Sequence, residues 1–288
     1  MTNSNIIVET QLDVRLTQLA MEMSADAMSF CGPIYSGIDE LIRDAIESIK
    51  HKKDKLVILL ETPGGYIEVA KRIVDTIRHH YPNIVEFIIP NHAMSAGTVL
   101  VMSGNAIHMD YFSVLGPIDP QIERPDGTMV PGLGYLIKYD RLIEKSNEGN
   151  LTTAELHYLV ERFDPAELYS YEQARELSIA FLKEWLVKYK FKNWERTATR
   201  KILVTRKMKT RRAAEIARKL NNTDFWHSHG HGISMEVLKR EMKLQIEDFG
   251  VNIKLSNPIR SYHRLLIDYM GRRGHKVSVH VKDRYTSI

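Results

Sequence analysis

The sequence predicts an α/β fold with parallel strands joined by right-handed crossovers, on three observations. Lys55–Leu60 (K-L-V-I-L-L) and Ile84–Ile89 are short apolar runs, the pattern of strands buried on both faces. Between them, Ile67–His80 places Ile67, Ala70, Ile73, Val74 and Ile77 on one helical stripe, and Pro82 ends it. Strand and helix then keep alternating at crossover spacing through residue 115.

The elements follow in order. Residues 1–24 read as an amphipathic helical arm, with Leu12, Leu16, Leu19 and Met23 near helical spacing. A short strand at Ala27–Cys31 precedes a turn marked by Gly32, Pro33 and Gly37. Ile38–Ile49 is helical, with Ile38, Leu41, Ile42, Ala45, Ile46 and Ile49 on one face. After Ile84–Ile89, N-H-A-M-S-A-G-T leads into a small-residue apolar helix at Val99–Met102. Ala106–Met109 and Ser113–Leu115 are further short strands. Residues 122–134, with two Pro and three Gly, read as a surface loop.

Beyond the loop, 152–220 reads as three or more helices with breaks at Pro165 and Asn193, and a strand signal only at Lys201–Thr205. D-F-W-H-S-H-G-H-G-I at 224–233 is irregular. Ser234 is a helix N-cap, with Glu236 in the first turn of a helix ending near Leu244. Asn257 and Pro258 break the chain. Residues 259–288 read as a peripheral strand, K-V-S-V-H-V, or a partly ordered tail.

Composition excludes several classes. With 288 residues and 43% hydrophobic content the chain can bury a sizeable core and is not disordered as a whole. Its single cysteine, Cys31, excludes an internal disulfide framework. No apolar run approaches the ~18 residues that span a bilayer. Glu9, Asp13 and Arg15 interrupt the start, so no secretory signal is read there and a reducing cytoplasm is the expected setting. The net charge of +4 hides an asymmetry: residues 183–219 hold 14 Lys or Arg against 3 Glu, a local +11, leaving the rest at −7.

Three turns sit at the carboxyl ends of the expected parallel strands, where α/β sheets bind ligands. Pro63-Gly64-Gly65 precedes a helix. Paired glycines let a backbone N–H face a cavity, and a helix N-terminus favours negative charge. Ala93-Met94-Ser95-Ala96-Gly97 places a serine among small residues between a buried strand and a helix, the pattern of a nucleophile elbow. Gly116-Pro117-Ile118-Asp119-Pro120 holds an aspartate in a stiff loop. Taken singly, each has an ordinary reading: a strand-to-helix turn, a helix N-cap and an Asx turn.

Order and spacing join them. Gly65 lies 30 residues before Ser95, with strand–turn–helix units separating the three turns. The P-G-G, S-A-G and following apolar helix resemble the Clp/crotonase fold of serine peptidases, which includes the Clp protease proteolytic subunit and the signal peptide peptidases. E-T-P-G-G-Y, A-M-S-A-G-T, L-G-P-I-D-P-Q-I and the late S-H-G-H-G-I-S resemble one branch, the serine dehydrogenase proteinases. The resemblance spans roughly Ala27 to Leu244 and is strong over Leu56–Ile122.

The resemblance implies a core of repeated β-β-α units with a helical insertion. It divides the chain into an arm (1–24), a core with the nucleophile (25–150), a basic helical insertion (151–220), a return to the core with the histidine element (221–256) and a basic extension (257–288). It implies a triad of Ser95, Asp119 and His229, in an order where acid and base have exchanged places relative to the Clp subunit, with an oxyanion hole from the N–H groups of Gly65 and Ala96. It also implies a homo-oligomer acting on peptide or protein substrates. The chemistry needs no cofactor. His231 is the substitute base, and His227, His229 and His231 alternate. Three histidines could share a zinc ion, but no fourth ligand beyond Asp224 is evident and no metal is assigned. His92 belongs to the serine turn.

The alternatives are a serine–lysine dyad using Lys138, a catalytically inactive scaffold of the same fold, and a crotonase-type acyl-CoA enzyme, which would need no serine elbow. In the basic segment, Trp185, Tyr189, Phe191 and Trp194 interleave with cations as in single-strand binders. With Leu186, Trp194 and Leu203 expected to pack inward, an oligomer or substrate surface is preferred to nucleic acid.

Overall fold

The computed structural model describes residues 4–118, 121–123, 129–222, 226 and 230–288, with the backbone alone at 121–123 and 129–133. Helix α1 (Ser4–Glu22) leads into β1 (Asp26–Cys31), α2 (Ile38–Ser48), β2 (Lys55–Glu61), α3 (Ile67–His80) and β3 (Ile84–Ile88). Strand β4 (His92–Ala93), α4 (Ala96–Val101), β5 (Ala106–Met109) and β6 (Val114–Leu115) follow. The pair β7 (Gln121–Glu123) and β8 (Met129–Pro131) forms an antiparallel ribbon. Next come α5 (Gly132–Asn147), α6 (Thr153–Arg162), α7 (Pro165–Trp185) with a π-helical turn at Leu186–Lys190, and α8 (Arg206–Leu220). Strand β9 (Ile233–Ser234), α9 (Met235–Met242), β10 (Glu247–Asp248), α10 (Ile253–Arg273), β11 (Ser278–Val281) and β12 (Arg284–Ser287) complete the order.

The main sheet has seven strands in the order β10-β5-β3-β2-β1-β11-β12, and the run from β10 to β1 is parallel. This is the expected α/β class. Alternation along β2 divides the core. Leu56, Ile58 and Leu60 join Ile42, Ile46, Ile73 and Ile77 beneath α2 and α3. Val57 and Leu59 face Leu12, Leu16, Leu19, Ile259, Tyr262 and Leu266 of α1 and α10. A strand buried on both faces can only be a near-continuous apolar run, which is what Lys55–Leu60 is.

Three expectations differ from the structure. Residues 122–134 are not simply a loop: β7, β8 and the start of α5 lie there. The Lys201–Thr205 strand is reduced to one bridge, Arg196 to Leu203, inside a tight turn. The 257–288 stretch is no peripheral tail. Pro258 sits within α10 rather than ending a helix, and β11 pairs with β1 inside the sheet, with Val277, Val279 and Val281 buried. Among the described residues, no helix is long and apolar enough to cross a membrane.

A buried polar chain fastens this last stretch to α1. His280 is fully enclosed; its Nε2 lies 3.0 Å from Asp13 Oδ1, and its Nδ1 lies 2.8 Å from the Tyr262 hydroxyl. A carboxylate only accepts, so Nε2 donates to Asp13, and in the neutral ring Nδ1 accepts from Tyr262. Burial alone would raise the Asp13 carboxyl. The bonds from His280 and from the Asp283 N–H outweigh it and hold the group below the usual carboxylate range. A depressed carboxyl stabilises the fold above its unfolded pKa, and that stability is lost as pH falls through the folded value. Asp13→Asn is therefore expected to cost about 2 kcal/mol at neutral pH. The gap to wild type should shrink towards pH 3 in urea unfolding; a pH-independent gap would count against the pairing.

Candidate active site

Threonine 62 joins the first two turns. It follows β2 directly, is fully buried, and bridges to Ala93: its N–H donates to His92 O at 3.1 Å, and its carbonyl accepts from Met94 N at 2.9 Å. Its hydroxyl accepts the Gly64 N–H at 3.1 Å. The glycines have steric reasons. A Cβ on Gly65 (φ +145°) would lie 2.0 Å from Ile34 O, and one on Gly64 (φ +98°) would lie 2.7 Å from Met94 O and 2.9 Å from Ser95 Cβ. The P-G-G turn therefore packs directly on the serine turn.

Ser95 stands between β4 and α4 with φ 49° and ψ −118° and makes no capping bond. By contrast Lys243, at φ 49° and ψ 32°, is an ordinary left-handed cap. Ser95 lies outside every well that an L-residue with a side chain favours. Backbone strain of this kind costs roughly 1–3 kcal/mol and persists only where the surroundings fix it. The constraint is visible: Gly97 N donates to Met94 O at 2.8 Å, and a Cβ on Gly97 would lie 2.3 Å from Thr62 Cγ2. The N–H groups of Gly65 and Ala96 make no hydrogen bond among the described residues.

Thr98, also fully buried, joins the serine turn to the third one. Its hydroxyl lies 2.8 Å from Ala93 O and 2.9 Å from Gly116 O, and accepts Gly116 N at 3.0 Å. Strand β6 runs parallel to β4, and β9 runs antiparallel to β6, making a second sheet whose last row is Ala93, Leu115 and Ile233. Beyond that row the chain continues to Ser95 from β4, towards position 119 from β6, and backwards towards position 229 from β9. Ser95 and the described residues that precede position 119 and follow position 229 thus leave one end of one small sheet. Asp119, His227 and His229 themselves lie outside the described residues. His231 is exposed beside the Trp226 ring, 5.4 Å between centroids. Lys138 is exposed on α5. Among the described residues no cluster of three metal-ligating side chains occurs.

Sequence reasoning missed the carboxylate beside the turns. Glu61, the last residue of β2, pairs with His263 of α10, accepts Asn91 Nδ2 at 3.1 Å and lies 3.7 Å from His92 Nδ1. Burial alone would raise the Glu61 carboxyl; the His263 hydrogen bond, with His92 and Asn91 beside it, holds it below its usual range. Cys31, which pairs with Glu61 across β1 and β2, has its thiol pushed up to about 12 by burial and that carboxylate. It is no thiolate nucleophile. His263 gave no sequence signal, standing 202 residues from Glu61.

Two outcomes test this geometry. Ser95→Gly should raise stability by about 1 kcal/mol by releasing the strained backbone, whereas Ser95→Ala should not, because alanine keeps the Cβ. Equal thermal midpoints for the two variants would refute the strain. Thr98→Val should leave the Gly116 carbonyl without its hydroxyl donor and Gly116 N–H with only its longer bond to Ala93 O, and lower the midpoint, while Thr98→Ser restores it.

Residues 3–133 match the profile of the ClpP-like SDH-type serine proteinases. An uncharacterized protein of Methanocaldococcus jannaschii is 24% identical over 277 residues, covering 95% of this chain and 77% of that protein. A second uncharacterized protein of the same organism is 36% identical over 95 residues, covering 31% of this chain and 32% of its own length. Two solved structures of mutants of a membrane-bound stomatin-specific protease are similar at low level. One has TM-score 0.44 and 15% identity, covering 77% of both chains. The other, in complex with a substrate peptide, has TM-score 0.45 and 17% identity, covering 91% of this chain and 84% of that one. The stretch that resembles the ClpP-like SDH-type serine proteinases, residues 3–133, is the part of the chain that holds the strained serine and the P-G-G turn packed against it.

Proposed function

We propose that this serine peptidase cleaves peptide bonds through an acyl-enzyme on Ser95, with His229 as base and Asp119 as its orienting carboxylate. The observation that carries the reading is the strained Ser95 elbow, at the end of a small sheet formed with β6 and β9.

The chemistry follows from roles rather than from chain order. Ser95 Oγ attacks the scissile carbonyl carbon while His229 takes the hydroxyl proton. The tetrahedral oxyanion is held by the unpaired N–H groups of Gly65 and Ala96, donors that cost no reorganisation because their turns are already locked. The C–N bond then breaks as His229 gives its proton to the departing amine. Water repeats the sequence on the ester and frees Ser95. Asp119 stabilises the imidazolium that forms in each half.

The histidine base is preferred to Lys138. A lysine serves as a base when burial lowers its pKa, and Lys138 is exposed. A fluorophosphonate probe should label wild type at Ser95 and leave Ser95→Ala unlabelled; labelling of the mutant would end the serine mechanism. His229→Ala should lower kcat by roughly three orders of magnitude. His227→Ala and His231→Ala should each lower it by about tenfold or less. Asp119→Asn should also be severe. Activity should rise with pH through an apparent pKa near ~6.5–7. A dead Lys138→Ala beside an active His229→Ala would replace the triad by the dyad.

A further inference from the structure

The basic segment 183–219 takes no part in this chemistry, and folding separates its aromatics from its cations. Trp185 and Phe191 are buried. Tyr189 lies under the Arg78 guanidinium at 3.8 Å, and Trp194 packs on Phe191 with 5.5 Å between ring centroids. The exposed base-stacking platform that single-strand binders use is therefore missing from these four rings.

What faces solvent is the stretch R-K-I-L-V-T-R-K at 200–207, in which only Val204 is partly covered. Contrary to the inward packing expected of Leu203, it is 66% exposed and Ile202 52%. Arg200 and Lys201 flank this apolar pair on one side, Arg206 and Lys207 on the other. A tight turn holds the pair outward: Thr197 N donates to Ile202 O at 3.0 Å, Val204 N donates to Glu195 O at 2.8 Å, and Lys201 takes φ 54°. None of the four cations has an ion-pair partner among the described residues. The first turn of α8 contains no acidic residue, so its cations also oppose the helix dipole.

Helix α8 connects this patch to the catalytic end. Its 15 residues make a rod of about 22 Å. Its last carbonyl, Leu220 O, accepts Ile118 N at 3.1 Å, beside position 119. An extended polypeptide covers that distance with about seven residues.

We infer that residues 200–207 dock an acidic stretch of the polypeptide substrate, one that carries leucine or isoleucine between its carboxylates, about seven residues from the bond cut. The inference rests on the peptidase reading for the word substrate. Carboxylates complement the four unpaired cations, and an apolar side chain between them covers Ile202 and Leu203. Nucleic acid would match the charge but neither the apolar pair nor the missing stacking platform.

The test uses the Ser95→Ala chain, which binds without turnover. Fluorescence anisotropy measures a labelled dodecapeptide of alternating glutamate and leucine, its glutamine counterpart, and a thymidine dodecanucleotide. The acidic peptide should bind and the glutamine peptide should not. The combined Arg200→Gln, Lys201→Gln, Arg206→Gln and Lys207→Gln variant should weaken binding at least tenfold, and Leu203→Ser alone several-fold. Leu203→Val, which keeps an apolar surface, should lose less. Equal binding of the oligonucleotide with an inert Leu203→Ser would overturn the inference in favour of a simple polyanion surface. Self-association that the fourfold variant abolishes, with peptide binding unchanged, would overturn it in favour of a second copy. Absence of probe labelling at Ser95 in wild type would overturn the peptidase reading whatever the patch binds.

Discussion

Thr62 joins two sheets and two turns with one residue. Its backbone closes both sides of a parallel bridge to the serine turn, its hydroxyl holds Gly64, and its methyl fills the space that a Cβ on Gly97 would need. The main sheet ends at Glu61, one residue earlier. Everything the small sheet carries is therefore placed relative to β2 through this contact. Thr98 repeats the device one turn further on, so the three turns form one hydrogen-bonded unit rather than three loops. Interiors this tightly filled are not continuously deformable, and that is what allows Ser95 to keep an unfavourable backbone.

The polar groups around this unit are arranged by sign. Glu61 keeps its negative charge because His263 and Asn91 contact it, and Cys31 beside it stays protonated. The thiol that these strands bury is therefore held in its neutral form.

The sequence made the main sheet and its helices legible where burial imposes a pattern. Helix α3 falls at Ile67–His80 as read, because five apolar positions at helical spacing can face only one core. Ser95 and both glycines were legible because their turns demand small residues. The small sheet was not fully legible. Strands of two residues, such as β4 and β9, are too short for a period of two to appear, and they exist only because neighbouring turns present their edges. The membership of β11 was hidden for another reason: its partner β1 lies about 250 residues away, and no local pattern reports so distant a pairing. Leu203 was misread because a lone leucine in a short apolar run says nothing of which way a tight turn will point it.

The position of β11 has a consequence for how the chain is made. Strand β1 lies in the interior of the sheet only because residues 278–281 pair with one of its edges. During synthesis β2, β3 and β5 emerge and can stack in order, but β1 waits with an open edge until residues 278–281 have left the ribosome. Such an edge is a template for pairing with another nascent chain. The arm of α1 lies over one face of β1 from the beginning, and it is then clasped by Asp13 to the very strand that closes the edge. Folding of this chain is in that sense a race between late closure of an early strand and its capture by a neighbour. Shortening the chain before residue 278 removes the closing strand, not a dispensable tail.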